Sequence, residues 1–113
     1  MTVEIRPIPR PGWDSLPAAV GIVGRVLVQE GSDARLPDLL VAELRFSEHA
    51  SIEPHAHTRD AIVVCLEGQG FTSVGDGTLP LREGQQVRWP SGVVHGLWTD
   101  GSTMTTLMIE QAD

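Results

Sequence analysis

The sequence predicts an all-β domain, a barrel or sandwich of short antiparallel strands. Three observations carry this expectation. Apolar, β-branched runs of strand length recur along the chain, glycines fall between or beside them, and no segment of useful length carries a helical pattern. A parallel α/β fold, which needs helices between its strands, is thereby excluded.

The first 20 residues hold Pro7, Pro9, Pro11 and Pro17, half of all the prolines, so an extended or looped arm is expected there, with Trp13 and Leu16 placed to pin it to the body. Residues 1–20 are read as this arm and residues 21–113 as one domain. Ile22-Val23-Gly24-Arg25-Val26-Leu27-Val28 reads as a strand, closed by a polar turn at Glu30-Gly31-Ser32-Asp33. The segment Pro37 to Phe46 carries two patterns. Pro37 suits the first position of a helix, but Leu40, Ala42, Leu44 and Phe46 share one face of a strand, and the β character downstream favours the strand. Further strands are expected at 52–57, 61–67, 70–74, 78–82, 86–89, 93–98 and 103–109.

At 113 residues and 12.2 kDa the chain accommodates one core. The net charge of −7, with 15 acidic residues against 8 basic, argues against nucleic acid or an anionic membrane as partner. All the cations are arginine, and Arg35, Arg45, Arg59, Arg82 and Arg88 are scattered as solvated surface charges would be. A single cysteine, Cys65, rules out an internal disulfide and points to a reducing, cytoplasmic setting. The N-terminus has no apolar run of signal-peptide type, and no apolar run approaches a membrane span.

Three of the four histidines fall in two short stretches, Glu53-Pro54-His55-Ala56-His57 and Pro90-Ser91-Gly92-Val93-Val94-His95. Histidines at i and i+2 of a strand project to one face, so His55 and His57 can converge, and His95 from a distant strand would complete a facial set of nitrogen ligands. Such a set suits Zn, Fe, Ni or Cu better than Mg or Ca.

These stretches resemble the two motifs of the cupins, small β-barrels of jelly-roll type, written G-x5-H-x-H-x3,4-E-x6-G and G-x5-P-x-G-x2-H-x3-N. Gly84, Pro90, Gly92 and His95 match the second motif up to its last position, where Thr99 replaces asparagine. His55, His57 and Gly68 match the first, while His49 replaces the opening glycine and Ala61 the glutamate. The 15 residues between Gly68 and Gly84 fit the spacing of small bacterial members. The resemblance covers residues 49–99 and implies a cupin double-stranded β-helix, a jelly-roll barrel of antiparallel strands. It implies a divalent transition metal, Fe, Zn, Ni or Mn, held by His55, His57 and His95. With alanine at 61 the expected carboxylate ligand is missing, leaving a three-histidine site with positions open for water or ligand. Strand parity puts Arg59, Ala61, Val63 and Cys65 on the face of the histidines and turns Asp60 away, so that Asp60 would replace the missing acid only through a bulge.

Arg59 is a candidate contact for a substrate carboxylate, against the alternative of a solvated rim arginine. Trp89, Trp98, Met104 and Met108 read first as core or interface packing, with Trp98 and Met108 as further candidate substrate contacts walling an apolar pocket. His49 reads as a surface loop residue, Cys65 as a small core hydrophobe, and Glu53 as carried to the rim by a turn. No residue is assigned as a general acid or base. The expected function is binding or conversion of a small organic molecule at the three-histidine site, by dioxygenase-like chemistry with iron or isomerase-like chemistry with zinc or nickel. The alternative is a non-catalytic ligand-binding or sensor module. By family analogy a homodimer is expected, with the arm at residues 6–17 reaching the partner subunit.

Overall fold

The computed structural model describes residues 3, 5, 7, 8, 10–30 and 39–111. The turn expected at Gly31–Asp33, Arg35, the start of the next segment at Pro37, and Pro9 of the arm lie outside these residues. Eight strands and no helix are found among the described residues: β1 (Asp14–Ser15), β2 (Ala19–Glu30), β3 (Leu39–His55), β4 (Ala61–Val74), β5 (Gly77–Arg82), β6 (Gln86–Trp89), β7 (His95–Trp98) and β8 (Met104–Gln111). Every pairing is antiparallel. The segment that could have opened a helix at Pro37 is strand from Leu39 onward, as its alternating apolar face requires.

The expected strands at 37–46 and 52–57 are one strand, β3, and those at 61–67 and 70–74 are one strand, β4. Each runs through both faces of the barrel and changes partner on the way. Leu39–Phe46 of β3 pairs with β8, whereas Ser51–His55 pairs with β7. Ala61–Gly68 of β4 pairs with β8, and Phe71–Val74 with β7. The order β1-β2-β3-β7-β4-β5, with β8 also bridging β3 and β4, closes the sheet on itself. His49, expected in a loop, sits exposed within β3, and Glu53 reaches the rim from the same strand rather than from a turn.

The bends have local causes. In β4 the register slips between Cys65 and Glu67, and Gly68 follows at φ 75°. A Cβ on Gly68 would also run into the Thr103 carbonyl, so glycine is required there for both conformation and space. In β3 the turn of direction near Ser47–Ala50 is clamped by Thr99, the residue standing where the motif has asparagine. Its hydroxyl donates to the Ser47 carbonyl and accepts the Ala50 N–H at 2.9 Å, while its own N–H donates to the Ala50 carbonyl at 2.9 Å. Threonine thus supplies the donor and acceptor that this buried corner needs.

Between the faces lie Ile22, Leu44, Phe46, Val63, Leu97 and Met104, all at most 3% exposed. Each contributes about 1.5–3 kcal/mol of burial. Cys65 is fully buried among them, and burial first, then the Glu83 carboxylate, pushes its thiol pKa up, as suits a core hydrophobe and not a nucleophile.

The arm is held as its aromatic residue suggested. The Trp13 ring lies between the Arg25 and Arg45 guanidiniums, each 4.2 Å from the ring centroid, and Arg25 also pairs with its cross-strand neighbour Glu43 at 2.8 Å. Leu16 packs on the core, and Ala18 turns the chain into β2 at φ 57°. The arm's end is therefore part of the barrel wall.

Gly68 and Gly92 separate the two roles of a motif glycine. Gly92 has φ 76° with nothing within 4 Å of where a Cβ would stand, so Gly92→Ala is expected to cost about 1–2 kcal/mol. Gly68→Ala, which adds a backbone collision to a positive φ, is expected to cost more than that in a urea unfolding comparison of the two variants.

Candidate metal centre

Pro54 sets up the site by removing an N–H from β3, and the β3–β7 register slips between Ile52 and His55. After the slip His55 pairs directly with His95. His57 follows two residues on, and its carbonyl accepts the Gly92 N–H at 2.7 Å, which ties the Pro90–Val93 turn ahead of His95 to the first motif. One ligand atom from each of His55, His57 and His95 lies within 4.8 Å of the others, so the three rings expected to converge do so.

The ring environments differ. His55 Nδ1 faces the Glu53 carbonyl at 2.8 Å; a carbonyl only accepts, so Nδ1 carries the hydrogen and Nε2 keeps its lone pair. His55 Nε2 and His57 Nε2 then face each other at 2.8 Å. That separation is compatible with one shared ion at about 2.0–2.1 Å from each nitrogen. His95 is 1% exposed, and neither of its ring nitrogens has a hydrogen-bond partner among the described residues. Two orphaned buried nitrogens beside two converging imidazoles fit a metal ion, whose binding would satisfy what the protein leaves unsatisfied.

His95 is fixed from behind. Trp89 stacks on it with ring centroids 4.0 Å apart and planes 9° from parallel. The indole Nε1–H donates to Thr72 Oγ1 at 3.0 Å, and that hydroxyl donates to the Gly96 carbonyl at 2.9 Å. Burial first, then the neighbouring His55 and His57 rings, lowers the His95 pKa to about 4, against a weaker opposing contact with the Val93 backbone. The ring is therefore neutral at physiological pH, the form that binds metal.

His55 and His57 open onto a cavity of about 410 Å³, with His95 buried behind them. Its walls are Leu16, Pro17 and Ala18 from the end of the arm, Leu44, Ile52 and Pro54 from β3, Trp89 from β6 and Met108 from β8. His55, His57 and Glu53 are the polar side chains of the lining. Of the three expected substrate contacts, Met108 lines this cavity. Arg59 and Trp98 do not: Arg59 donates to the Gln111 carbonyl at 3.4 Å, and Trp98 stacks on its cross-strand neighbour Phe71 at 5.9 Å. The wall formed by Leu16–Ala18 was not anticipated, because its placement depends on the Trp13 clamp.

Asp60 does not supply the missing carboxylate. It is exposed, accepts the Ser91 N–H at 2.8 Å and pairs with Arg88 at 2.9 Å, and those two contacts hold its pKa below the usual carboxylate range. A different acid, marked by no motif, stands closer to the histidines. Glu110 on β8 is buried, with Oε1 3.9 Å from His57 Nδ1.

A closed antiparallel barrel with a histidine cluster at its mouth defines a small cupin. The family model described as "Cupin domain" matches residues 42–110, more than half of the chain, and the chain belongs to that family. Among solved structures it is similar to the polyketide cyclase RemF from Streptomyces resistomycificus (TM-score 0.77, 21% identity, 100% of this chain and 81% of that chain). It is also similar to a cupin-like protein from Thermotoga maritima (0.76, 22%, 91% and 78%) and to KdgF from Halomonas sp. (0.74, 18%, 91% and 88%). At these identities the likeness is one of fold. No curated protein sequence matches the chain significantly.

The depressed His95 pKa has a signed consequence for the metal-free protein. Well above pH 6.5 the ring is neutral whether the chain is folded or unfolded, and it contributes nothing to pH dependence. Between pH 6.5 and about 4 the unfolded chain takes up a proton that the folded ring refuses, so stability falls with pH through that window. The loss reaches at most about 3 kcal/mol. His95→Gln is expected to flatten that part of the profile, read from urea midpoints of chelator-treated protein across the window.

Proposed function

We propose that this cupin binds a divalent transition metal through His55, His57 and His95 and acts on a small, mostly apolar organic molecule held in the adjoining cavity. The observation that carries the reading is the convergence of three imidazoles, one of them with both ring nitrogens buried and unpartnered, beside an apolar cavity of ligand size that His55 and His57 line. A bound metal would supply Lewis acidity to a coordinated substrate oxygen, or oxygen activation if it is iron. The chain's own residues do the rest. Glu53 fixes the tautomer of His55 through its carbonyl, Trp89 holds the plane of His95, and the apolar walls exclude water from the reacting group.

The lining also bounds the substrate class. Among the described residues no arginine lines this cavity and the charged side chain is Glu53, so a multiply anionic molecule is disfavoured. A neutral or singly anionic compound that chelates through oxygen and presents an apolar body fits the walls. That an organic substrate can be processed in such a barrel is supported by the polyketide cyclase of similar fold. A non-catalytic ligand-binding role is the second reading. It is favoured by the scarcity of acid–base groups in the lining, where Glu53 at the rim is the one carboxylate among the described residues.

Reconstitution is expected to load about one metal per chain and to raise the unfolding free energy by about 2.7 kcal/mol at free metal 100-fold above Kd. His95→Ala is expected to abolish both effects. Elemental analysis together with thermal unfolding before and after chelation checks this, and a metal content near zero in freshly reconstituted protein sinks the reading. Oxygen uptake or product formation across a panel of apolar enols, diols and carboxylates then separates enzyme from binder.

We further propose a cytoplasmic homodimer. Ile5 and Ile8 of the arm are 92% and 53% exposed, and burial of these side chains against a second copy would remove apolar surface from water. Light scattering is expected to give twice the chain mass, and a monomer at working concentration rejects the dimer.

A further inference from the structure

Ala61 occupies the position at which the family motif carries glutamate, and the residue paired with it across the sheet is Glu110. Cross-strand partners in an antiparallel pair project to the same face with Cβ atoms about 4.5–5.5 Å apart. Here both face inward, with Ala61 3% and Glu110 8% exposed. The two positions are complementary. A second carboxylate at 61 would crowd and repel Glu110, whereas alanine leaves room for one acid delivered from β8 instead of β4.

We propose that Glu110 is a positioning residue that holds a proton on His57 Nδ1 and so keeps His57 Nε2 available to the metal. Its Oε1 lies 3.9 Å from Nδ1, behind the ring and just beyond hydrogen-bond length, while Nε2 on the far side faces His55 at 2.8 Å. The carboxylate favours an N–H dipole directed at it, and a neutral imidazole carrying hydrogen on Nδ1 has its lone pair on Nε2. Without that bias the two rings would satisfy each other. His57 Nε2–H would donate to the His55 lone pair across 2.8 Å, closing a hydrogen bond where the ion should sit. Glu110 therefore does for His57 what the Glu53 carbonyl does for His55, and it keeps the metal-free pair from sealing itself.

The inference rests on the metal-binding reading above, but its first readout needs no metal. In chelator-treated protein under mildly alkaline conditions, long-range 1H–15N spectra of the imidazoles are expected to show His57 protonated at Nδ1 in the native chain. In Glu110→Leu the proton is expected at Nε2. Zinc affinity from chelator competition is expected to fall roughly 10- to 100-fold in the same variant. Glu110→Gln, which keeps the volume and removes the charge, is expected to move both readouts in the same direction, and it decides the matter if the leucine variant does not fold. The proposal is overturned if native His57 carries its proton on Nε2, or if affinity falls while the proton position is unchanged, which would make Glu110 a ligand or a packing residue. It is equally overturned if both variants leave affinity and proton position as in the native chain. Failure of the native protein to bind zinc would instead refute the metal reading, with the proton position on His57 still deciding the role of Glu110.

Discussion

The barrel depends on two strands that each serve both of its faces. A continuous β3 and a continuous β4 must bend without leaving backbone groups unpaired, because an orphaned buried amide or carbonyl costs about as much as a lost hydrogen bond. Gly68 solves this in β4 by combining a left-handed conformation with close approach to Thr103, and Thr99 solves it in β3 by capping the corner with its side chain. Once both bends are made, β7 and β8 can each bridge β3 and β4, and the sheet closes. The site follows from the same geometry. The β7-facing half of β3 carries His55, the strand that pairs with it carries His95, and the β8-facing half of β4 sets Ala61 against Glu110.

At the mouth of the barrel the balance runs the other way, toward groups left unsatisfied. A buried polar atom without a partner costs roughly 1–3 kcal/mol. His95 presents two such nitrogens, beside the 2.8 Å contact between the Nε2 atoms of His55 and His57. Behind them the frame is hydrogen-bonded, with Trp89 linked through Thr72 to the β7 backbone. A rigid frame surrounding an incompletely satisfied centre is the arrangement expected of a binding site, since local rules are broken where function requires it and kept elsewhere.

Much of this was legible in the sequence, and the unreadable parts have physical reasons. Histidine spacing and the two motifs marked the cluster, because i, i+2 parity in a strand is a local property. Alternation in β8 puts Met104, Thr106, Met108 and Glu110 on one face, but which face turns inward depends on the β4–β8 register and its slip near Cys65. Nothing local therefore distinguishes Glu110 from a solvated carboxylate. Trp98, a candidate substrate contact, lies outside the cavity lining and packs on Phe71, because its register partner lies on the β7-facing half of β4. The two long strands looked like four short ones because glycine and polar residues mark bends as readily as turns. The wall made by Leu16–Ala18 depends on two arginines gripping Trp13 from strands β2 and β3, a contact that no local pattern encodes.

The face-to-face stack of Trp89 on His95 has an optical consequence. The chain contains three tryptophans and no tyrosine, so its near-ultraviolet emission belongs to indoles in three distinct surroundings. Trp13 lies between guanidiniums and Trp98 against a phenyl ring, whereas Trp89 rests 4.0 Å from an imidazole whose electron demand changes when it gains a proton or a metal. Its fluorescence is thus coupled by contact to the state of one ring of the histidine cluster, giving the protein an intrinsic spectroscopic reporter at the mouth of the barrel.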